Sequence, residues 1–207
     1  EFYISDRPEQ KQFTKDDPDR RTNVVLLAKN FQGYKNLAKL SSLGYLNGFY
    51  FGVPRISRQM IADYKDGLVA FTGGLTGDIP NTILEFGELR GETLFKWWKE
   101  TFGDDFYVQL QNHEIDEEEY INDVLLKFAD KYGVKIIAQN ETYYTNESDA
   151  NIQDILFCIK DGEKLSTPVG RGFGKRKGLP TKHYYLKNQD ETRKAFRNYS
   201  DAFEAYD

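Results

Sequence analysis

Residues Gly133–Tyr144 read GVKIIAQNETYY: a glycine turn, a short apolar run over Lys135–Ala138, then an abrupt polar cluster. Just upstream, Tyr120, Ile121, Val124, Leu125, Phe128 and Tyr132 recur at helical spacing. Helix, tight turn, buried strand and polar strand end follow in the order by which a parallel α/β protein builds the wall of a site. The cluster offers a carboxylate, Glu141, and a phenol, Tyr143, two residues apart, and strand alternation points both the same way. A metal or phosphoester site would be expected to use histidine there. The cluster has none, and the chain has only His113 and His183.

Working outward, Asn23–Ala28 (NVVLLA), Gly67–Phe71 (GLVAF) and Asp105–Leu110 (DFYVQL) are three further buried strands, and each is followed by helical periodicity. The predicted helices are Phe31–Leu46, Arg58–Tyr64 with Ser57 as N-cap, one opened by Gly77–Pro80, Glu88–Thr101, and Glu117–Tyr132 capped by Asp116. Two more follow, Glu147–Ile159 carrying Ile152, Ile155, Leu156 and Ile159, and Asp190–Tyr199. Tyr184–Leu186 reads as a short strand. Ser5–Thr22, with two prolines and no apolar period, reads as a surface loop, and so does the Gly- and Lys/Arg-rich stretch Asp161–His183. The repeated βα units predict an α/β fold with mainly parallel strands, in one domain over residues 1–207.

Composition narrows the classes. A net charge of −5 argues against nucleic-acid binding through overall positive charge, although a local basic patch remains compatible with it. The single cysteine, Cys158, excludes an internal disulfide framework and fits a reducing, cytoplasmic compartment. No apolar run approaches the roughly 20 residues that span a bilayer, so no membrane is expected as a partner. Glu1-Phe2-Tyr3-Ile4 reads as the middle of a strand, which predicts that the chain is a fragment with its first strands upstream and an open apolar edge.

A metal site needs three or four His, Cys or carboxylate donors. The strand ends Ala28–Asn30, Thr72–Gly74, Gln111–His113 and Asn140–Tyr143 together supply His113 and Glu141, with Glu114 near. Asp116–Glu119 reads as a solvated helix start, where carboxylates suit the dipole. Thr72–Gly77 (TGGLTG) offers glycine N–H groups to a phosphate but lacks P-loop spacing and its lysine, which favours a plain turn. Gly170–Gly174 (GRGFG) follows no strand, so a dinucleotide reading is poor. Lys175, Arg176 and Lys177 beside Phe173 form a candidate contact to a nucleic-acid backbone, against the competing reading of a solvated loop. Cys158 lies on the apolar side of its helix and reads as core.

Several strings in a fixed order carry more information than any one of these. NVVLLAKN (Asn23–Asn30), GYKNL (Gly33–Leu37), Gly48-Phe49-Tyr50, Pro54-Arg55-Ile56, GLVAFTGGLTGDIP (Gly67–Pro80), FYVQLQ (Phe106–Gln111), Lys135–Tyr144, DILFCI (Asp154–Ile159) and YYLK (Tyr184–Lys187) together resemble the PHP (polymerase and histidinol phosphatase) domain of bacterial DNA polymerase III alpha subunits. The resemblance implies part of a distorted seven-stranded β/α barrel, with metals clustered at the strand C-termini. It also implies a His-x-His pair upstream of Glu1. Glu1 matches a ligand glutamate of that family. Three other ligand positions are altered: Asn23 stands for a histidine, Gly74 for a cysteine, and Glu141-Thr142-Tyr143 for an Asp-x-His. Glutamate in place of aspartate moves the carboxylate by about 1.5 Å, a carbon–carbon bond length, where sites tolerate about 0.5 Å. The resemblance therefore implies a scaffold without catalytic residues or a bound metal, magnesium being used by the polymerase site elsewhere in the full-length protein. The partners it implies are the rest of the polymerase chain, a proofreading exonuclease subunit, other replisome subunits and, through the whole protein, DNA. The alternative is an active metal-dependent phosphoesterase or 3′–5′ exonuclease.

Overall fold

The computed structural model describes residues 1–170 and 173–199. In chain order the elements are β1 (Phe2–Ile4), β2 (Thr22–Val24), β3 (Leu26–Ala28), α1 (Phe31–Asn47), β4 (Arg55–Ile56), α2 (Arg58–Asp63) and β5 (Leu68–Phe71). There follow α3 (Asp78–Phe86), α4 (Glu88–Phe102), β6 (Phe106–Leu110), α5 (Asp116–Tyr132), β7 (Lys135–Ala138), α6 (Ala150–Asp161) and α7 (Gln189–Ala195). Among the described residues no helix is long and apolar enough to cross a membrane.

The fold is mixed α/β. One sheet has the order β2-β1-β4 and the other β3-β5-β6-β7. The pairings β1–β4, β5–β6 and β6–β7 are parallel, whereas β1–β2 and β3–β5 are antiparallel. The expectation of mainly parallel strands is therefore corrected for the first part of the chain, because buried strands of either direction present the same apolar run. Asn23–Ala28, read as one strand, breaks at Val25. Its first half pairs with β1 and its second half with β5, so one segment serves both sheets. Among the described residues these sheets do not join into a closed seven-stranded barrel.

Leu40, Phe95, Val108, Leu110 and Leu125 form the fully buried centre of the core. On α1 the inward face is built from Leu40 and small or polar residues, and the aromatic side chains lie outside it. Gly33, Asn36, Leu40 and Gly44 face inward, while Phe31, Tyr34, Tyr45 and Leu46 are exposed. The cause is close backbone approach: a Cβ on Gly33 would stand 1.9 Å from the Gly67 carbonyl oxygen. Ser57 caps α2 as expected, its side chain accepting from the Met60 N–H. Asp116 is not a cap. Ile115 holds that position and Asp116 opens α5.

The loop over residues 5–22 has no helix or strand before Thr22, yet it is anchored. The buried Arg55 guanidinium donates to the Pro8 and Gln10 carbonyls at 2.8 Å each and to Asp19 at 2.8 Å. Tyr184–Leu186 contributes only an isolated bridge, Tyr144 to Tyr185. Among the described residues of 161–183, the chain is irregular apart from the α6 end and one bridge, Val169 to Arg176.

Candidate functional site

The C-terminal ends of β5, β6 and β7, with β2 beside them, bring most of the sequence candidates to one polar surface. The Asn23 side-chain amide donates to Glu1 Oε1 at 2.6 Å and to Thr76 Oγ1 at 3.0 Å. The Tyr143 hydroxyl donates to Glu141 Oε1 at 2.9 Å, so the two side chains do point the same way. Burial first, and then the Glu141 carboxylate, push the Tyr143 phenol up to about 12, and the Glu1 carboxylate adds to the shift. Glu1, Asn23, Glu141 and Tyr143 thus share one electrostatic environment.

Gly74 lies against the amide of Gln111. A Cβ at Gly74 would stand 2.2 Å from Gln111 Oε1. Gln111 is buried. Its amide donates to Gln139 Oε1 at 3.3 Å, and its carbonyl accepts from the Asn122 side chain on α5 at 2.8 Å. Gly73 approaches from the other side, where an added Cβ would lie 3.9 Å from Asn23 Oδ1.

His113 forms the floor beneath Glu141. It is fully buried and stacks on Tyr184, with ring centroids 4.1 Å apart and planes 8° apart. Its Nδ1 and backbone N–H reach the two carboxylate oxygens of Glu118 at 2.8 and 2.6 Å. Its Nε2 lies 3.2 Å from the Glu141 backbone nitrogen and 3.3 Å from the Glu141 carbonyl oxygen. Both ring nitrogens are therefore committed to protein partners. Glu118, grouped above with solvated helix-start acids, is buried for the same reason.

The donor set fits a metal centre poorly. Among the described residues no three His, Cys, Asp or Glu side chains come together around a possible ion. The polar side chains at the ligand positions bind each other instead, the Asn23 amide to the Glu1 carboxylate and the Tyr143 phenol to the Glu141 carboxylate, and beside Gly74 the Gln111 amide bonds that of Gln139. Gln111, Gln139 and Thr76 carry amides and a hydroxyl, which a pattern of histidines and acids does not contain, and Glu118 had been placed with the solvated helix-start acids. Gln111 and Gln139 stand at strand ends, and that position was the available signal.

The basic candidates separate. Lys175 and Lys177 are exposed, and Lys177 Nζ sits 5.0 Å from the centre of the Phe157 ring. Arg176 is buried. It donates from Nε to the Thr167 carbonyl at 2.7 Å and from Nη2 to Asp154 at 2.8 Å, so its donors serve the fold and not a phosphate. Arg171 and Gly172 of the 170–174 run lie outside the described residues. Cys158 is buried, as expected, but on the side of its helix opposite Ile152, Ile155, Leu156 and Ile159, which are exposed.

Comparison with known proteins identifies the family of the chain. The PHP domain family matches residues 1–113. The DNA polymerase III subunit alpha of Borreliella burgdorferi is 39% identical over 184 residues, covering 88% of this chain and 15% of the relative. The corresponding subunit of Thermus aquaticus is 36% identical over 171 residues, covering 83% of this chain and 13% of its own. That of Treponema pallidum is 30% identical over 181 residues, covering 87% of this chain and 15% of its own. The chain thus spans about one seventh of the length of the curated relatives it matches. By these matches the chain belongs to the PHP domain family, in the form found in DNA polymerase III alpha subunits.

Proposed function

We propose that this domain is a catalytically inactive scaffold within a bacterial replicative DNA polymerase, a protein that copies DNA at a magnesium-dependent site elsewhere in its chain. The observation that carries the reading is the space beside Gly74. Where the family resemblance calls for a cysteine ligand, there is no side chain, and the Gln111 amide occupies the room a Cβ would need. Metal chemistry would have to generate hydroxide and clamp a phosphate through several ligands at once, and Asn23 and Tyr143 are poor donors at the other altered positions. On this reading further strands of the full-length protein complete the barrel. The domain packs on the polymerase core and docks a separate proofreading exonuclease subunit, and Lys175 and Lys177 are the basic residues left to meet DNA.

The test uses the full-length protein. Metal analysis should find no stoichiometric tightly bound zinc or manganese, and a preparation that extends primers should release no nucleotides in a chelator-sensitive way from single-stranded DNA. Stoichiometric metal together with nuclease activity abolished by chelation establishes the alternative, an active phosphoesterase or 3′–5′ exonuclease.

A further inference from the structure

On α6, Ile152, Ile155, Leu156 and Ile159 recur at the i, i+3, i+4, i+7 spacing of a buried helix face. They are 59%, 45%, 52% and 72% exposed. The helix is not free to rotate and bury them. Its other side is occupied by buried Phe157 and Cys158 and by Asp154, which Arg176 clasps. Ahead of it, Asn146 and Asp149 form a reciprocal capping box. A contiguous aliphatic face held out in this way marks a contact surface.

We infer that the α6 stripe is the seat of another segment of the same polypeptide: an apolar face from the polymerase region outside residues 1–207. The inference rests on the polymerase reading above. Two observations select this occupant. The PHP family match ends at residue 113, well before α6, whereas an alignment spanning 88% of this chain necessarily includes α6. α6 therefore belongs to what the chain shares with polymerase subunits, beyond what it shares with PHP domains at large. Those subunits also hold most of their length outside the match, since the Borreliella relative is covered over only 15%. The chemistry excludes a nucleic-acid occupant, because bases stack on aromatic rings and phosphates seek cations, and the stripe is purely aliphatic. A segment of the same chain also escapes the association entropy that a separate partner carries.

The test is residue-resolved maleimide labelling of the full-length, primer-extending protein carrying Ile155→Cys or Ile159→Cys, with exposed Lys160→Cys as reference. Both stripe positions should label at least ~10-fold more slowly than the reference, independently of dilution and without any added subunit. Equal rates in an active polymerase overturn the inference. So does protection lost on dilution, which indicates a second copy, or protection gained only with an added subunit, which indicates a separate partner. A full-length protein that does not copy DNA refutes the underlying reading instead. If the cysteine variants misfold, hydroxyl-radical footprinting of the unmodified polymerase decides the matter: α6 side chains should be protected, and open ones reject the docking.

Discussion

On α5, Ile121, Val124, Leu125 and Phe128 repeat at i, i+3, i+4, i+7, and none is more than 6% exposed. On α6, Ile152, Ile155, Leu156 and Ile159 repeat at the same spacing, and none is less than 45% exposed. Both stripes are equally good signals of a face that avoids water. The difference lies in what stands opposite. α5 crosses β6 and β7 and meets the aromatic cluster of α4, where Phe95 and Phe128 have ring centroids 5.4 Å apart. α6 turns its mixed side, Asp154 and Phe157, toward Arg176 and Lys177 and leaves the aliphatic side outward. Periodicity thus identifies a buried face but not the partner that buries it.

The sharpest way to break this contrast is to truncate one residue on each helix. Phe128→Ala should destabilise the 207-residue chain by about 3–5 kcal/mol, the range for removing a packed core aromatic. Ile155→Ala should change it by less than about 0.5 kcal/mol, as for a surface position. Urea unfolding of both variants measures this. Equal costs would mean that the α6 stripe is already packed. In the full-length protein the Ile155→Ala cost should rise toward the core range of about 2–5 kcal/mol.

A second prediction concerns the polar site at the strand ends, on the α5 side. Gly74→Ala drives a Cβ to 2.2 Å from Gln111 Oε1, so this buried side chain must shift and give up its bond to Gln139 Oε1. Overpacking of this kind costs about 1–3 kcal/mol. Adding Gln111→Ala should return most of that, because the two residues compete for one volume, and a double-mutant cycle in chemical denaturation reads the coupling. Strictly additive effects would show that the Gln111 amide does not fill the Gly74 space.

On the α6 side the corresponding device is the Asp154–Arg176 clasp. The hydrogen bonds from Arg176 hold the Asp154 carboxyl below its ordinary range. For a depressed carboxylate the stabilisation is complete above the unfolded value of about 3.9 and is lost as pH falls through the folded value. Residues 173–182 should therefore resist proteolysis equally across neutral pH and open only in acid below about pH 4. Arg176→Met should make them cleavable at neutral pH, whereas Lys175→Met should not. Equal sensitivity of the two variants would return Arg176 to the solvent-facing set.

How much of this was legible follows from how local each signal is. β7 matches its apolar run at both ends, Lys135–Ala138, because a glycine turn and a polar cluster bound it within a few residues. The common orientation of Glu141 and Tyr143 was also legible, since alternation is a nearest-neighbour property. The face of α1 was not. It is set by Gly33 against the Gly67 carbonyl, a contact across 34 positions that no helical wheel contains. The direction of β3 against β5 was hidden for the same reason. At the site, the altered ligand positions were visible one at a time, but the filling of Gly74 by Gln111 is a tertiary pairing with no local pattern. Arg176 looked like one of three equivalent cations because its carboxylate lies 22 residues earlier, on another element.

The smallest effect belongs to Tyr143, which joins the two regions: its hydroxyl bonds Glu141 at the strand-end site, and its ring meets Phe157 of α6 edge-on at 5.8 Å. Tyr143→Phe keeps the ring contact and removes only an exposed hydrogen bond, so the cost should stay below about 1 kcal/mol. The more telling readout is titration. With the phenol pushed up to about 12, its protonated form is the one the fold favours. That contribution is fully present below the ordinary phenol value of about 10 and is lost as pH rises through the folded value. Phenolate absorbance, with Tyr143→Phe subtracted, should show one group titrating late. Glu141→Gln should lower it without restoring the ordinary value, because burial is the larger cause. If Glu141→Gln leaves the titration unmoved, the carboxylate is not engaged with the phenol, and the strand-end site and α6 are coupled through ring packing alone.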